Sequence, residues 1–486
     1  MLDAKNIQRL LRSRRKPVRI ISGVTVVAVM SKPYPCPHGR CIYCPGGPNY
    51  GTPQSYYGKE PALMRAQMCN YDPYEQVKVR LSQYELLGHT PSKVELIIMG
   101  GTFPATPLDY QEWFVTMCLE AMNRYPRDKP KRWISLESAQ KRNEHAKIRC
   151  VGMTFETRPD WAKEAQADRM LRLGGTRVEI GVQTVFEEVL SRLERGHTVE
   201  DTIEATRILK DSGFKVCYHI MPGLPGSDLS MDEEVFNVIF SDPNFMPDML
   251  KIYPTIVVKG TKLYDMWLRG DYKPMTTEDA IEFLVKILPK IPRWVRIQRI
   301  QRDIPVNVVE AGVDKGHLRQ LVHWELERRG LKCSCIRCRE VGHVMLKKGL
   351  VPKLENIRLL KISYEASGGI EIFLSFEDVV QDILIGFLRL RIPSERAHRR
   401  EVNSKTAIIR ELHVYGPQLP VGLKPVIEWQ HRGWGAKLLA EAERVALEEY
   451  DRSRMLVLSG IGVRDYYRRF GYRRLPNSPY MHKRLA

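Results

Sequence analysis

The chain has no apolar run long enough to span a bilayer: the longest, Ile20 to Met30, is short and interrupted, whereas a membrane helix needs roughly 20 apolar residues. A secretory leader is not expected either, since MLDAKNIQRLLRSRRKPVR sets seven basic residues and one acid where an apolar core would have to stand. A cytoplasmic protein without membrane association is expected. Acidic residues are in deficit, 57 against 76 Lys and Arg, which leaves a net charge of +19 and makes polyanions the expected partners. Disulfides are not expected: of ten cysteines, six fall in two tight groups, a metal-site pattern in a reducing compartment. Cys69, Cys118, Cys150 and Cys217 stand singly and read as buried apolar residues.

What is present begins with length. At 486 residues, two or three domains can each bury a core. The basic residues are clustered: Arg9, Arg12, Arg14, Arg15, Lys16 and Arg19 near the start; PRWVRIQRIQRD, with Arg293, Arg296, Arg299 and Arg302; and RDYYRRFGYRR near the end. Interleaved tyrosine and tryptophan favour nucleic acid over a merely soluble surface. The N-terminal group with Arg296, Arg299 and Arg302 is expected to hold RNA phosphates.

In YPCPHGRCIYCPGG, Cys36, Cys41 and Cys44 are separated by four residues and then two. Three thiolates do not close a structural zinc site unless a fourth ligand such as His38 joins them. They suit a four-iron four-sulfur cluster with one iron left open. This loop resembles that of the radical S-adenosylmethionine (SAM) enzymes, whose open iron chelates SAM. Here the first gap is four rather than the usual three, and Tyr43 occupies the aromatic position.

Downstream, KVELIIMGG, IRCVGMTFET, TRVEIGVQT, FKVCYHIMPGLPG and MLKIYPTIVV read as short strands separated by helical stretches such as VEDTIEATRILKDSG. The alternation predicts an α/β fold, a partial (β/α) barrel with its chemistry at the C-terminal strand ends. Gly100, Gly101, Thr102, Glu156, Arg158 and Gln183 fall at those ends and are the candidate SAM contacts.

Past CSCIRC the pattern changes. SGGIEIFLSFED and DILIGFLRLRIP predict a hairpin-like β pair. In QHRGWG, Gln430, Gly433 and Gly435 open a helix whose N–H groups would face a pyrophosphate. The order strand, glycine loop, helix, strand and short helix resembles the GNAT acetyltransferases. That likeness implies acetyl-CoA contacts at Leu412, His413, Val414, Gln430, His431, Arg432, Gly433, Trp434 and Gly435. It also implies a tyrosine that protonates the departing thiolate: Tyr467 by position, with Tyr466 beside it. Cys333, Cys335 and Cys338 form a candidate zinc site, with His317, His323 and His343 open as the fourth ligand. The expected division is a basic RNA-binding segment 1–19, a radical SAM barrel 20–315, a cysteine-containing linker 316–350 and an α+β GNAT domain 351–486.

A cluster loop and a GNAT domain in one chain, together with EPALMRAQ, YDPYEQV, MGGTFP, TFETRPD, VEIGVQT, MPGLPGS, QRDIP, RELHVYG and YYRRFGY, resemble the catalytic-subunit family of Elongator in a stand-alone form. The resemblance implies carboxymethylation at C5 of the wobble uridine of tRNA, with radical chemistry moving a carbon from acetyl-CoA to the base. It further implies an electron donor for the cluster and one cleft between barrel and GNAT domain that gathers acetyl group, SAM and flipped base; the sequence itself requires no other subunits and leaves open whether partners are needed. Two readings stand beside it: a protein-lysine acetyltransferase with a structural cluster, and a noncatalytic RNA-binding module.

Overall fold

The computed structural model describes residues 21–416 and 433–485. The expected phosphate contacts Arg9, Arg12, Arg14, Arg15, Lys16 and Arg19, and the loop residues Gln430, His431 and Arg432, lie outside them.

Alternating apolar strands and amphipathic helices build a seven-stranded, wholly parallel sheet. Its strands are β1 (Thr25–Met30), β2 (Lys93–Met99), β3 (Arg149–Thr157), β4 (Arg177–Gln183), β5 (Lys215–Ile220), β6 (Met249–Ile252) and, after the two-residue β7 (Val257–Val258), β8 (Arg296–Ile300). Spatial order follows chain order, so each crossover advances one place and the sheet curls instead of doubling back. β7 pairs only with β9 (Val309–Ala311). Every β4 side chain is buried, as befits a strand flanked on both faces. Helix starts carry their own signals: Thr198 and Thr276 close capping boxes with Asp201 and Asp279.

Three short helices, Leu318–Arg328, Ile336–Arg339 and Val341–Lys348, lead to a second sheet. Here β10 (Ile357–Ala366), β11 (Gly369–Asp378) and β12 (Ile383–Ile392) form an antiparallel meander, so the expected β pair is the second half of a three-stranded unit. β13 (Thr406–Val414) follows and runs parallel to β14 (Arg454–Val457); β15 (Arg473–Arg474) and β16 (Met481–Arg484) complete the far edge. The helix Trp434–Arg444 buries Leu438, Leu439 and Ala442 against this sheet.

The second sheet docks on the N-terminal ends of the barrel strands. A Cβ at Gly460 would stand 2.1 Å from Val151 O, and one at Gly462 2.4 Å from Arg149 Cβ, so this contact at the start of β3 admits only glycine. Arg410 donates to Asp248 at 2.6 and 2.8 Å and to Glu371 at 2.7 Å, all three fully buried. Burial pushes the Asp248 carboxyl up, but Arg410, Lys210 and Arg389 reverse this and hold it well below the ordinary carboxylate range.

Candidate active site

Cys36, Cys41 and Cys44 stand on the loop that leaves the C-terminal end of β1. The loop is stitched to the barrel: Ile42 N donates to Leu193 O (3.1 Å), Leu263 N to Ile42 O (2.9 Å), and Arg40 Nη2 to Gly260 O (2.9 Å). Each sulfur meets a donor. Thr102 Oγ1 lies 3.4 Å from Cys36 Sγ, Arg195 Nη1 3.5 Å from Cys41 Sγ, and Ser55 N 3.1 Å from Cys44 Sγ.

Tetrahedral Zn–S bonds of about 2.3 Å bring sulfurs to roughly 3.8 Å. The sulfurs of Cys333, Cys335 and Cys338 lie within 4.8 Å of one another. His38 Nε2 lies 3.1 Å from Cys41 Sγ alone, and burial beside Arg158 and Arg195 lowers its pKa to about 3. The first trio, three thiolates on one loop, suits an iron–sulfur cluster with one iron left open. The second fits zinc: Cys335 and Cys338 sulfurs are 3.6 Å apart and His323 Nε2 is 3.8 Å from Cys338 Sγ. Of the candidate fourth ligands, His323 contacts the trio at Cys338, while His343 is engaged with Glu340 at 3.2 Å.

A cleft of about 140 Å³ opens beside Cys36, lined by the C-terminal ends of the barrel strands. Of the expected SAM contacts, Gly101, Thr102, Glu156, Arg158 and Gln183 line it. Gly100 has another task, since a Cβ there would stand 2.3 Å from Ser31 Oγ. Gly101 holds a left-handed φ of +55°, and its Cβ would come 3.6 Å from Cys36 Sγ, so backbone borders the sulfur directly. Gln183 also has positive φ (71°), and its buried Oε1 has no partner, an acceptor left open toward a ligand.

Among the cleft residues that went unnoticed in the sequence are Tyr56, Arg195, His219 and Lys251. Lys251 Nζ donates to Glu156 at 2.9 Å and contacts the fully buried Glu179; Tyr56 donates to the other Glu156 oxygen at 2.9 Å. Burial pushes the Glu179 carboxyl up, yet Lys251, His219 and Arg177 hold it well below its usual range. Lys251 inside an apolar strand was the legible signal, because a lysine is rarely buried without an anion.

The three expected phosphate contacts of the 292–303 stretch part company. Arg299 and Arg302 line the cleft rim, and Arg302 donates to Ser55 O. Arg296 is corrected: its guanidinium is buried against Glu340 (2.5 Å) and Tyr415 Oη (3.1 Å) and ties the barrel to the second domain, leaving no face for RNA.

In the second domain β13 pairs with β14 only from Thr406 to Ile409, while its pairing with β12 continues to Val414. The freed half of β13 lines a wedge of GNAT type. Val414, Gly435 and Tyr466 converge there, for a Cβ at Gly435 would meet Tyr466 Oη at 2.5 Å and Val414 Cγ2 at 3.8 Å. Leu412 and Trp434 pack on the same core, and Gly433 caps the helix in a left-handed turn. His413 points away, toward Ser22 O at 2.9 Å. Tyr467 is 5% exposed and sunk in the core; Tyr466 is the ring facing the glycine turn.

The SAM-type cleft lies at the C-terminal strand ends and the GNAT domain against the N-terminal ends. A six-residue strand such as β5 separates them by about 20 Å.

Curled parallel sheet, three-thiol loop and splayed mixed sheet define a radical SAM enzyme joined to a GNAT-fold domain. Residues 32–239 match the Radical SAM superfamily and residues 247–328 the Radical_SAM C-terminal domain. The chain is 56% identical over 477 residues to the tRNA uridine(34) acetyltransferase of Methanocaldococcus jannaschii, covering 97% of this chain and 86% of that protein. It is 45% identical over 481 residues to Elongator complex protein 3 of Mus musculus, with 97% and 86% covered. The solved structure of archaeal Methanocaldococcus infernus Elp3 lacking residues 1–46 superposes with a TM-score of 0.84 at 50% identity, covering 96% of this chain and all of that one. The chain belongs to the Elongator protein 3 family.

Proposed function

We propose that this protein modifies uridine 34 of tRNA, attaching a carboxymethyl group at C5 with SAM and acetyl-CoA, in the cytoplasm and with an external one-electron donor. The observation that carries the reading is the loop of Cys36, Cys41 and Cys44, each sulfur met by its own donor, at the mouth of a cleft lined by Gly101, Glu156, Arg158 and Gln183, in a chain that also holds a GNAT wedge. A cluster bound there supplies one-electron reduction of the SAM sulfonium, and with it radical chemistry at carbon. The chain's residues hold and shield. Arg195, 7% exposed, sets a cation beside the Cys41 sulfur. Thr102 and the Ser55 N–H donate to the other two sulfurs, and Lys251 fixes the Glu156 carboxylate. Tyr466, pushed up to about 12 by burial, stays protonated beside the glycine turn and is the donor suited to a leaving thiolate.

Because wedge and cleft lie at opposite strand ends, turnover requires the acetyl-derived carbon to pass between them, by rearrangement of the domains or through the barrel. The test is anaerobic reconstitution with reductant, SAM, acetyl-CoA and an unmodified tRNA, followed by mass spectrometry of the nucleosides. A 5-carboxymethylated uridine that disappears in Cys36→Ala is expected. Unaltered uridine with acetylated lysines would replace this reading with a protein acetyltransferase.

A further inference from the structure

Outside the cleft, the barrel flank carries an unusual surface. Trp133 is 82% exposed and Trp113 44%, beside Leu108 at 63%. Two adjoining depressions of about 500 and 770 Å³ share Arg132, Trp133 and Ile134. Together these side chains make a contiguous exposed apolar patch, the kind of surface that marks an interaction site. The charge around it is specific. Arg142 is committed to Glu120 at 2.7 Å, and Arg169 and Arg172 to Glu112 at 3.2 Å, whereas Lys131, Arg132 and Lys141 are exposed with no acidic partner among the described residues.

The surface joins both ends of the molecule. At the cluster end, Trp113 packs on Tyr110 (5.7 Å) and Tyr110 on Tyr34 (5.3 Å), two residues before Cys36; exposed Lys32 lies over both tyrosine rings at 5.2 and 5.3 Å. At the other end the second depression reaches His145, whose Nδ1 meets Asp465 at 2.8 Å. Asp465 lies on the Tyr466 helix, which leads into exposed Arg469, Arg473 and Arg474. Unpaired cations interleaved with flat aromatic faces are the means of holding a nucleic-acid strand, the cations on phosphates and the rings under bases.

We infer that this flank is an RNA-docking strip, in which Trp133 stacks on an unpaired base and Lys131, Arg132 and Lys141 hold adjacent phosphates. The occupant rests on the tRNA reading above; its placement rests on exposure and charge. An acidic redox protein or a second copy of the chain would leave the indole no base to stack on and the cations no regular row of phosphates.

The test uses the full chain and an unmodified transcript of a tRNA with uridine at position 34, with binding followed over a range of salt without SAM or acetyl-CoA. Trp133→Ala is expected to weaken binding about tenfold at unchanged salt slope. The triple reversal Lys131→Glu, Arg132→Glu, Lys141→Glu is expected to lower the slope of log Kd against log salt by about 2 to 3. Wild-type affinity and slope in both variants would overturn the strip, as would a loss confined to reduction by an acidic donor or to self-association. Because no turnover is measured, failure of the wild type to modify uridine 34 would count against the catalytic reading and not against this one. Trp133 is too exposed for its removal to unfold the barrel, and thermal melts of each variant check this.

Discussion

Glu144 of the barrel accepts a hydrogen bond from Arg464 Nη1 at 2.9 Å and another from Arg468 Nη2 at 2.6 Å, across the seam to the helix that carries Tyr466. Burial pushes this carboxyl up, but the two arginines outweigh it and hold it below its ordinary value. Glu144→Ala strands the buried Arg464, a loss of roughly 3–5 kcal/mol for a broken internal pair, and releases the tyrosine helix. Acetyl-CoA hydrolysis is expected to fall about tenfold while reductive SAM cleavage persists, and Glu144→Gln, which keeps a hydrogen-bond acceptor, is expected to recover part of the loss. Equal loss of both activities in a folded Glu144→Ala protein would show that the latch does not act through the helix.

The charges buried between the domains make a second prediction. Asp248 faces Arg410, Arg389 at 3.6 Å and Lys210 at 3.5 Å, with water excluded. Asp248→Ala leaves three cations sharing Glu371 and neighbouring carboxylates, and roughly 3–5 kcal/mol should be lost. In calorimetry the barrel and the second domain should then melt separately. A single transition within about 1 kcal/mol of wild type would mean the cluster contributes little to docking.

Much of this was legible in the sequence, and what was not has a physical reason. The strands of KVELIIMGG and TRVEIGVQT and the helix of VEDTIEATRILKDSG have clear periodicity and caps, and they fold where expected. Cys36, Glu156 and Gln183 could be assigned to one cleft because a parallel barrel gathers its strand ends. Arg296 misled because composition reports charge without reporting its partner: Glu340 is 44 residues away. The docking of the second domain on the N-terminal rim was equally hidden, since it depends on Gly460 and Gly462 lying against β3, a pairing no local pattern encodes.

Metal removal gives a third prediction. Cys333, Cys335 and Cys338 bring three sulfurs within 4.8 Å of one another, and His323 Nε2 lies 3.8 Å from Cys338 Sγ, a set that would close a structural zinc site with His323 turned in as fourth ligand. Purified protein should hold about one zinc per chain besides its iron, and His323→Ala should lower the zinc while leaving iron untouched. Because Ile336 N bonds to Val295 O, loss of zinc should lower the melting temperature of the barrel. Iron instead of zinc at these cysteines, measured by element analysis of a Cys36→Ala protein, would refute the assignment.

The last prediction concerns pH. Asp232 accepts from Gly223 N at 2.6 Å and Ser227 Oγ at 2.7 Å, fixing the MPGLPG turn behind the cleft residue Met221. Burial dominates those hydrogen bonds and raises its pKa from 3.8 to about 6. A carboxyl whose folded pKa is raised binds its proton more tightly in the native state. Its contribution is therefore complete below about pH 3.8, declines as pH rises to about 6, and is absent above. Two units correspond to about 3 kcal/mol. Asp232→Asn mimics the protonated form and does not titrate, so its stability relative to wild type should climb between about pH 3.8 and 6 and level off beyond about 7, read from urea midpoints at each pH. Parallel curves for the two proteins would show that Asp232 keeps its charge in the fold at no cost, and that the turn is held by the ion and not by the neutral acid.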